Sequence, residues 1–589
     1  MAIADYSCSG TWEGELIDVG TGTNDADYEG KDVKGKIVLA SGFPGGVMNQ
    51  AVWNRGALGV VYYNAARGIS HPDQIAWTSL RSRPPKDKEN MFAFSISYRA
   101  GMELKQRLAP RPKPVPVPGA FGEGMVPGEK IVVRAKVEAQ FEENPKQWIV
   151  EGWIRGTKIH DQQIVLTAHA QEEKYSANDD NSGCANVLEI ARALVRLIQE
   201  GKIARPKRDI RFWWVNEISA EYEYFSVHAE EAKKMLVNLN QDMVGAKQSV
   251  GSRIQHITRT PWSRPSYLNT VMESIAGMVM KGNSAYLSAG MAGTPQPYSK
   301  AILSKLGTRE RYGAEIVPYF DSSDHLVFNE SVIGVPGITL TNWPDENIHS
   351  SDDDLWQMDA TQLQRNAFIV AATAVYLASL KPEDVRALAL QVRADGQRSL
   401  NESYHRATNL LTLVAPADRS AVYLKGANLL EQARLRAGAT LDSVRVFGVD
   451  AKAGAELEQL KARFTTAAAN LLGDLGRNYA FLSGGTSPPA AQFGEEEKAM
   501  AGKVPEVAGT VAEYFDKRQK IENYFGLHPL MAWETFCFVD GKRSYLDIYR
   551  VVRAEVQMAG EWYYGKVTAR QVADLLDAAV KAGAVKMKQ

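Results

Sequence analysis

Between residues 141 and 385, short apolar runs alternate with longer segments in which apolar residues recur every three or four positions. Short apolar runs are typical of buried strands, and the longer period is typical of amphipathic helices. The alternation predicts a mostly parallel, doubly wound α/β sheet with helices on both faces. The predicted strands are 147–154, 163–167, 209–215, 236–239 and 337–341, and the predicted helices are 185–200, 221–234, 265–281 and 360–379.

The flanking segments carry different patterns. Residues 1–140 are rich in predicted strands, and a Pro-rich run at 110–118 predicts an extended loop. Residues after 385 are mainly helical in pattern, and amphipathic helices are predicted near the carboxyl end. We therefore predict a β-rich domain at 1–140, the α/β domain at 141–385, a helical domain at 386–510 and a small helical, winged-helix-like module at 511–589.

Composition excludes several classes of function. The 68 basic and 69 acidic residues balance, which gives no support to nucleic-acid binding. Three cysteines cannot form a disulfide framework. No apolar run is long enough for a membrane span, and the first residues lack the basic start and apolar run of a signal peptide.

Polar side chains follow several predicted strands at the point where each strand ends. Because the carboxyl ends of parallel strands meet at one edge of a sheet, we expect these side chains to converge. Imidazole and carboxylate groups are zinc ligands. Taken singly, each of these residues is more often a buried core histidine, a partner in an ion pair or a helix cap. Their occurrence together, each at the end of an apolar run, favours a metal site. The candidates are His169, Asp179, Glu217, Asp242 and His349.

Five motifs in order carry a resemblance to a known family. They are His169 at a strand end, Asp179-Asp180-Asn181-Ser182-Gly183, Asp242-Met243-Val244-Gly245, Ser323-Asp324-His325 and His349-Ser350-Ser351-Asp352. The segment resembles the co-catalytic zinc aminopeptidases, whose superfamily includes glutamate carboxypeptidases, glutaminyl cyclases and the transferrin-receptor ectodomain. The resemblance implies that His169 and Asp242 bind a first metal, that Asp179 bridges two metals and that His349 binds the second. It also implies that Asp180, Asp324 and His325 support the site or the substrate.

Two positions depart from the pattern of that family. Gln171 stands where an Asp usually orients the first His, and its amide oxygen can still accept the imidazole N–H. The usual Glu-Glu pair is Glu217-Ile218, so Glu217 takes the position of the general base and the second metal loses a ligand. We expect one firmly bound Zn²⁺ rather than a full two-metal site, as in a variant branch of the family with His-x-Gln and a single Glu. Alternatively, Glu217 is itself the ligand, or Glu221 or Glu223 supplies the missing carboxylate.

The segments 32–39, 56–64 and 94–97 resemble a protease-associated domain, which often accompanies this family. The resemblance implies a metal-dependent aminopeptidase that removes N-terminal residues from peptides, and we expect Trp343, Tyr319 and Phe320 to form a pocket for an apolar first residue. Two alternatives stay open: a binding or scaffold relative that has lost its metal, and a zinc carboxypeptidase or glutaminyl cyclase. Exported relatives and the helical region imply a secreted or periplasmic protein and a homodimer.

Overall fold

The computed structural model describes residues 1–588 apart from 81–83, 86, 115–120, 143–144, 172–174, 251–252 and 289–299. The chain divides into two compact units. The first contains Met1–Lys146, Glu172–Asp179 and Pro344–Met358, and the second contains Gln147–Gln171, Asp180–Trp343 and Asp359–Gln589. The division into four domains stays a prediction.

The first unit is built on a six-stranded sheet of order β1-β5-β4-β3-β2-β8. Strands β2, β3, β4 and β5 run parallel to one another. The edge strands β1 and β8 are antiparallel to their neighbours, β5 and β2. The helices are α1 (Pro44–Val47), continued by a π-helix at Met48–Trp53, and α2 (Tyr98–Leu108). The strands are β1 (Ala2–Ile3), β2 (Gly10–Asp18), β3 (Ile37–Ala40), β4 (Gly59–Tyr63), β5 (Phe92–Ile96), β6 (Arg111–Pro114), β7 (Phe121–Val126) and β8 (Val132–Val137).

The Pro-rich run is only partly the loop that the sequence predicted. Arg111–Pro114 forms β6, which pairs antiparallel with β7. This correction follows from the extended conformation that prolines impose, which suits a two-stranded ribbon such as β6-β7. The rest of the run, 115–118, lies outside the described residues.

The second unit contains a seven-stranded sheet of order β14-β13-β15-β12-β10-β11-β9. The central strands β15, β12, β10 and β11 are mutually parallel, which confirms the predicted α/β class. Two strands of the sheet, β13 and β14, were not predicted, because β13 carries polar residues between its two isoleucines and β14 is only four residues long. The strands are β9 (Val150–Ile154), β10 (Ile159–His169), β11 (Arg208–Val215), β12 (Met235–Gln241), β13 (Ile254–Thr258), β14 (Ala314–Val317), β15 (Gly337–Trp343), β16 (Pro505–Val507) and β17 (Val585–Met587).

Helices cover the sheet and form the carboxyl-terminal part of the second unit. The helix predicted at 221–234 is shorter than expected, because a 3₁₀ segment at Ala229–Lys234 follows it. The helices are α3 (Asn181–Gln199), α4 (Ser219–Val227), α5 (Tyr267–Ser288), α6 (His325–Asn329), α7 (Ala360–Ser379), α8 (Val385–Leu413), α9 (Arg419–Asp442), α10 (Ala451–Leu482), α11 (Glu495–Ala501), α12 (Val511–Gln519), α13 (Pro529–Cys537), α14 (Tyr545–Ala559), α15 (Glu561–Tyr564) and α16 (Ala569–Ala582).

No single helix in the described part of the chain has the length and apolar character needed to cross a membrane. Ala360–Ser379 and Pro382–Leu413 meet those criteria only when taken together, and they are bent by 111°.

A buried ion pair ties the carboxyl-terminal helices to the sheet-bearing part of the same unit. Arg518 on α12 forms two contacts with Glu330, at 2.5 and 2.6 Å. Tyr222 on α4 donates to the same carboxylate at 2.6 Å, and Trp533 on α13 donates at 3.0 Å. Four donors around one buried carboxylate compensate for the loss of hydration.

Candidate functional site

The register of the central strands explains why three of the predicted residues meet. Thr167 pairs with Asn240, so His169 and Asp242, each two residues further along parallel strands, reach the same level of the sheet edge. His169 pairs with Val215, which places Glu217 just beyond the end of β11. The register thus brings these three strand ends together within the second unit.

The imidazole of His169 faces two carboxylates. Its Nε2 lies 3.5 Å from Asp242 Oδ2 and 3.9 Å from Glu217 Oε1. His169 and Asp242 are buried, whereas the side chain of Glu217 is 28% exposed. Two buried atoms that can bind a metal, an imidazole nitrogen and a carboxylate oxygen, thus lie beside one partly exposed carboxylate.

Asp180 closes this edge of the sheet through the backbone. Its Oδ2 accepts the N–H of His169 at 3.1 Å, and its Oδ1 accepts those of Gly183 at 2.9 Å and Met243 at 3.1 Å. The approach of α3 requires glycine at position 183, because a Cβ there would lie 2.1 Å from the carbonyl oxygen of Gln241. One carboxylate therefore joins the ends of β10 and β12 to the start of α3.

The donor set fits a divalent cation. Ligand atoms of His169, Asp180 and Asp242 all lie within 4.8 Å of one another, but the oxygens of Asp180 already accept three backbone donors. Among the described residues, Asp242 Oδ1 is buried without a hydrogen-bond partner. Two ligands of a tetrahedral zinc ion lie about 3.3 Å apart, close to the 3.5 Å between His169 and Asp242. Among the described residues of the second unit, His169 and Asp242 are the pair whose geometry best suits such an ion.

A strained turn presents Glu217. Ile218 has φ +60° and ψ −48°, and Ser219 donates its N–H to the carbonyl of Glu217, which together form a γ-turn of the rare type. A β-branched residue at positive φ is a conformational outlier. Two acceptors hold the turn: Gln171 Oε1 takes the N–H of Glu217 at 2.7 Å, and Asp324 Oδ1 takes that of Ile218 at 3.1 Å. The expected contact of Gln171 with the imidazole stays a prediction.

The other two predicted ligands meet in the first unit. His349 Nε2 lies 3.0 Å from Asp179 Oδ2. Asp353 supports this pair, because its carboxylate accepts the backbone N–H groups of Asn178 at 2.8 Å and of Asp179 at 3.0 Å. An imidazole nitrogen and a carboxylate oxygen at this separation are again a donor pair that suits a cation.

Comparison with known proteins finds a family match for the sheet-bearing segment. Residues 150–374 match the model of peptidase family M28. The expected resemblance to zinc aminopeptidases and their superfamily is thereby confirmed for the M28 segment, whereas the protease-associated domain and the His-x-Gln branch stay predictions.

Individual relatives cover parts of the chain. A glutamate carboxypeptidase 2 homolog of Caenorhabditis elegans is 26% identical over 294 residues, which are 40% of this chain and 37% of the relative. Its counterpart in Caenorhabditis briggsae is 30% identical over 169 residues, or 26% of this chain and 21% of the relative. The chain thus spans less than two fifths of these relatives. A zinc aminopeptidase structure from Bacillus subtilis is 21% identical with a TM-score of 0.44, and the match covers 64% of this chain and 78% of that one.

Sequence reasoning underrated two acidic residues of the M28 segment. Glu221 on α4 is fully buried, and burial followed by the charge of Asp324 raises its pKa well above the usual value. Burial also raises the pKa of Asp324 to about 6, while a hydrogen bond with Glu221 lowers it. Burial therefore favours the protonated form of Glu221 beside Asp324. The sequence indicates Glu221 only as a substitute metal ligand, because no sequence pattern reveals its contact with Asp324.

One expectation about the pocket for an apolar first residue needs correction. Asp324 and His325 are fully buried, and His325 Nε2 donates to the carbonyl of Phe320 at 2.7 Å. Burial lowers the pKa of His325 to about 4. Tyr319 is 2% exposed, and its ring stacks on that of Trp533 with the ring centroids 5.1 Å apart. It therefore belongs to the core rather than to an open pocket. These side chains support the loop from inside.

Proposed function

We propose that this protein is a metal-dependent aminopeptidase that removes N-terminal residues from peptides. The observation that carries the proposal is the position of His169 Nε2 between Asp242 and the partly exposed Glu217. A donor pair for a cation beside an accessible base is the arrangement that hydrolysis by an activated water requires. The match to peptidase family M28 supports the same reaction class.

Zn²⁺ is the proposed cofactor, with His169 and Asp242 as ligands. When bound, such an ion lowers the pKa of a water molecule and polarises a carbonyl group. Asp179 and His349 are proposed as further ligands on the strength of the family resemblance. One ion is proposed to be held firmly, because Ile218 cannot donate to a second.

Glu217 is proposed as the general base. It accepts a proton from the attacking water and then delivers that proton to the amine nitrogen of the departing product. Its backbone is fixed on both sides, since Gln171 accepts the N–H of Glu217 and Asp324 accepts that of Ile218. A base with a fixed backbone loses less entropy on reaching the reactive geometry.

A panel of fluorogenic aminoacyl substrates, assayed with and without a chelator, tests the proposal. We expect chelator-sensitive release of the fluorophore, recovery on addition of Zn²⁺, and zinc in the purified protein by elemental analysis. A protein that holds no zinc and cleaves nothing in the panel would overturn the proposal in favour of a binding or scaffold role.

A carboxypeptidase is the second candidate, because both curated relatives carry the name glutamate carboxypeptidase 2 homolog. Peptides blocked at one end separate the two activities. An aminopeptidase cleaves peptides with an amidated C-terminus and spares those with an acetylated N-terminus, whereas a carboxypeptidase does the reverse. Glutaminyl cyclase activity would appear as ammonia release from an N-terminal glutamine. Export and homodimer formation are further proposals, checked by localisation and by sedimentation.

A further inference from the structure

A segment of the first unit, residues 67–77, lies along the loop that carries His349. Arg67 Nη1 donates to the carbonyl of Ile348 at 2.7 Å and to that of Glu346 at 3.1 Å. Gln74 Nε2 also donates to the carbonyl of Glu346, at 3.0 Å. Side chains of this segment therefore fix the backbone just before His349, although about 270 residues separate the two in sequence.

The segment also contacts the imidazole itself. The rings of Trp77 and His349 stack with centroids 4.8 Å apart and an interplanar angle of 24°. The backbone N–H of Trp77 donates to the carbonyl of His349 at 3.1 Å. On the far side of His349, Ser351 donates its N–H to the carbonyl of Ile75 at 2.9 Å. Ring and backbone of His349 are thus held by the same short stretch of chain.

His349 needs such support. Its φ is +52°, in the left-handed region that a non-glycine residue rarely adopts. Its side chain is 55% exposed, so surrounding core packing does little to restrict the imidazole. The Trp77 face restricts rotation of the ring while Nε2 stays directed toward Asp179 at 3.0 Å.

We propose that Trp77 and Arg67 are positioning residues that orient His349 for metal binding. The inference rests on the proposed metallopeptidase function. It assigns to residues 67–77 a role in metal affinity, beyond any role in the access of substrate. Partners that orient a ligand commonly contribute 10- to 100-fold to metal affinity.

The test measures zinc stoichiometry and dissociation constants by competition with a chelator, in the full chain and without reference to activity. We expect His349→Ala and Trp77→Ala to weaken the same zinc site, with Trp77→Ala weaker than wild type by about 10- to 100-fold. Trp77→Phe retains a stacking ring and should restore most of the affinity. Arg67→Ala should weaken the site in the same direction.

Trp53→Ala is the matched control, because Trp53 lies in the same unit and its indole donates to the carbonyl of Glu89, away from the His349 loop. It should lower stability without moving zinc affinity. If Trp77→Ala unfolds the chain, Arg67→Ala decides against Trp53→Ala: weaker zinc binding in Arg67→Ala supports the inference, and equal zinc binding in the two variants overturns it.

The outcomes distinguish a failure of the proposed function from a failure of the inference about Trp77 and Arg67. A wild-type protein without zinc overturns the proposed function and this inference together. Zinc binding that His349→Ala leaves unchanged overturns the inference alone, since His349 is then no ligand. If His349→Ala weakens zinc binding but neither Trp77→Ala nor Arg67→Ala does, the two residues are structural only and the inference is wrong.

Discussion

Asp324 accepts the backbone N–H of Ile218 at 3.1 Å and thereby holds a β-branched residue at φ +60°. The turn that results precedes α4 and sets the direction of Glu217. Strain of about 1–3 kcal/mol at such a residue persists only where neighbouring groups fix the conformation. Here Asp324 and Gln171 fix the conformation, because each accepts one of two successive backbone N–H groups.

Asp324→Ala should lower kcat far more than it changes KM. Without the acceptor the turn relaxes, and a displacement of the base by about 1 Å can cost roughly 100-fold in rate. Steady-state kinetics and zinc content check this. Asp324→Asn keeps an acceptor oxygen and should retain more activity than Asp324→Ala. Equal losses in both variants would show that the negative charge matters rather than the hydrogen bond to Ile218.

Glu217→Gln should abolish turnover while zinc content stays at the wild-type level. The amide keeps the size of the side chain but cannot accept the proton from water. Elemental analysis beside the kinetic assay distinguishes the two roles considered for this residue. Loss of zinc in Glu217→Gln would instead assign Glu217 as a metal ligand.

Asp180→Ala should destabilise the second unit. Three backbone N–H groups lose their acceptor at once, and each buried donor left without a partner costs about 1–3 kcal/mol. Denaturant unfolding measures the effect. Asp180→Asn keeps one acceptor oxygen and should lose less. A variant Asp180→Ala with unchanged unfolding but lost zinc would identify Asp180 as a ligand and contradict its assignment here.

Arg518→Met should lower the free energy of unfolding by about 3–5 kcal/mol, because it leaves the charge of Glu330 buried without its cation. Burial of Glu330 is complete, and Arg518 is 13% exposed at its side chain. The double variant Arg518→Met/Glu330→Gln removes that charge and should recover part of the loss. The exposed pair Arg570–Asp574 provides the control, and its removal should have no detectable effect.

The central strands and their end residues were predictable because local pattern and topology agree there. Apolar runs at β10, β11 and β12 end in His169, Glu217 and Asp242, and parallel pairing brings such ends together. Strand β13 was missed since Ile254–Thr258 alternates too few apolar residues to stand out. Its place in the sheet depends on pairing with β15, which only the folded chain supplies.

The supporting contacts could not be predicted. Asp324 reaches Ile218 across 106 positions, and it accepts from a residue whose conformation its residue type disfavours. Trp77 reaches His349 across a still longer separation and through a ring face. Neither contact leaves a periodic or motif-like trace in the chain. The sequence thus indicates the candidate reactive groups, whereas the side chains that contact them are found only in the structure.

The side chain of Asp180 accepts hydrogen bonds from the ends of two strands and from the first turn of a helix. Local breathing of this edge would separate His169 from Asp242 and expose the sheet in the same event. One carboxylate therefore serves both the stability of the second unit and the geometry of His169 and Asp242. A substitution of Asp180 is expected to change both properties together.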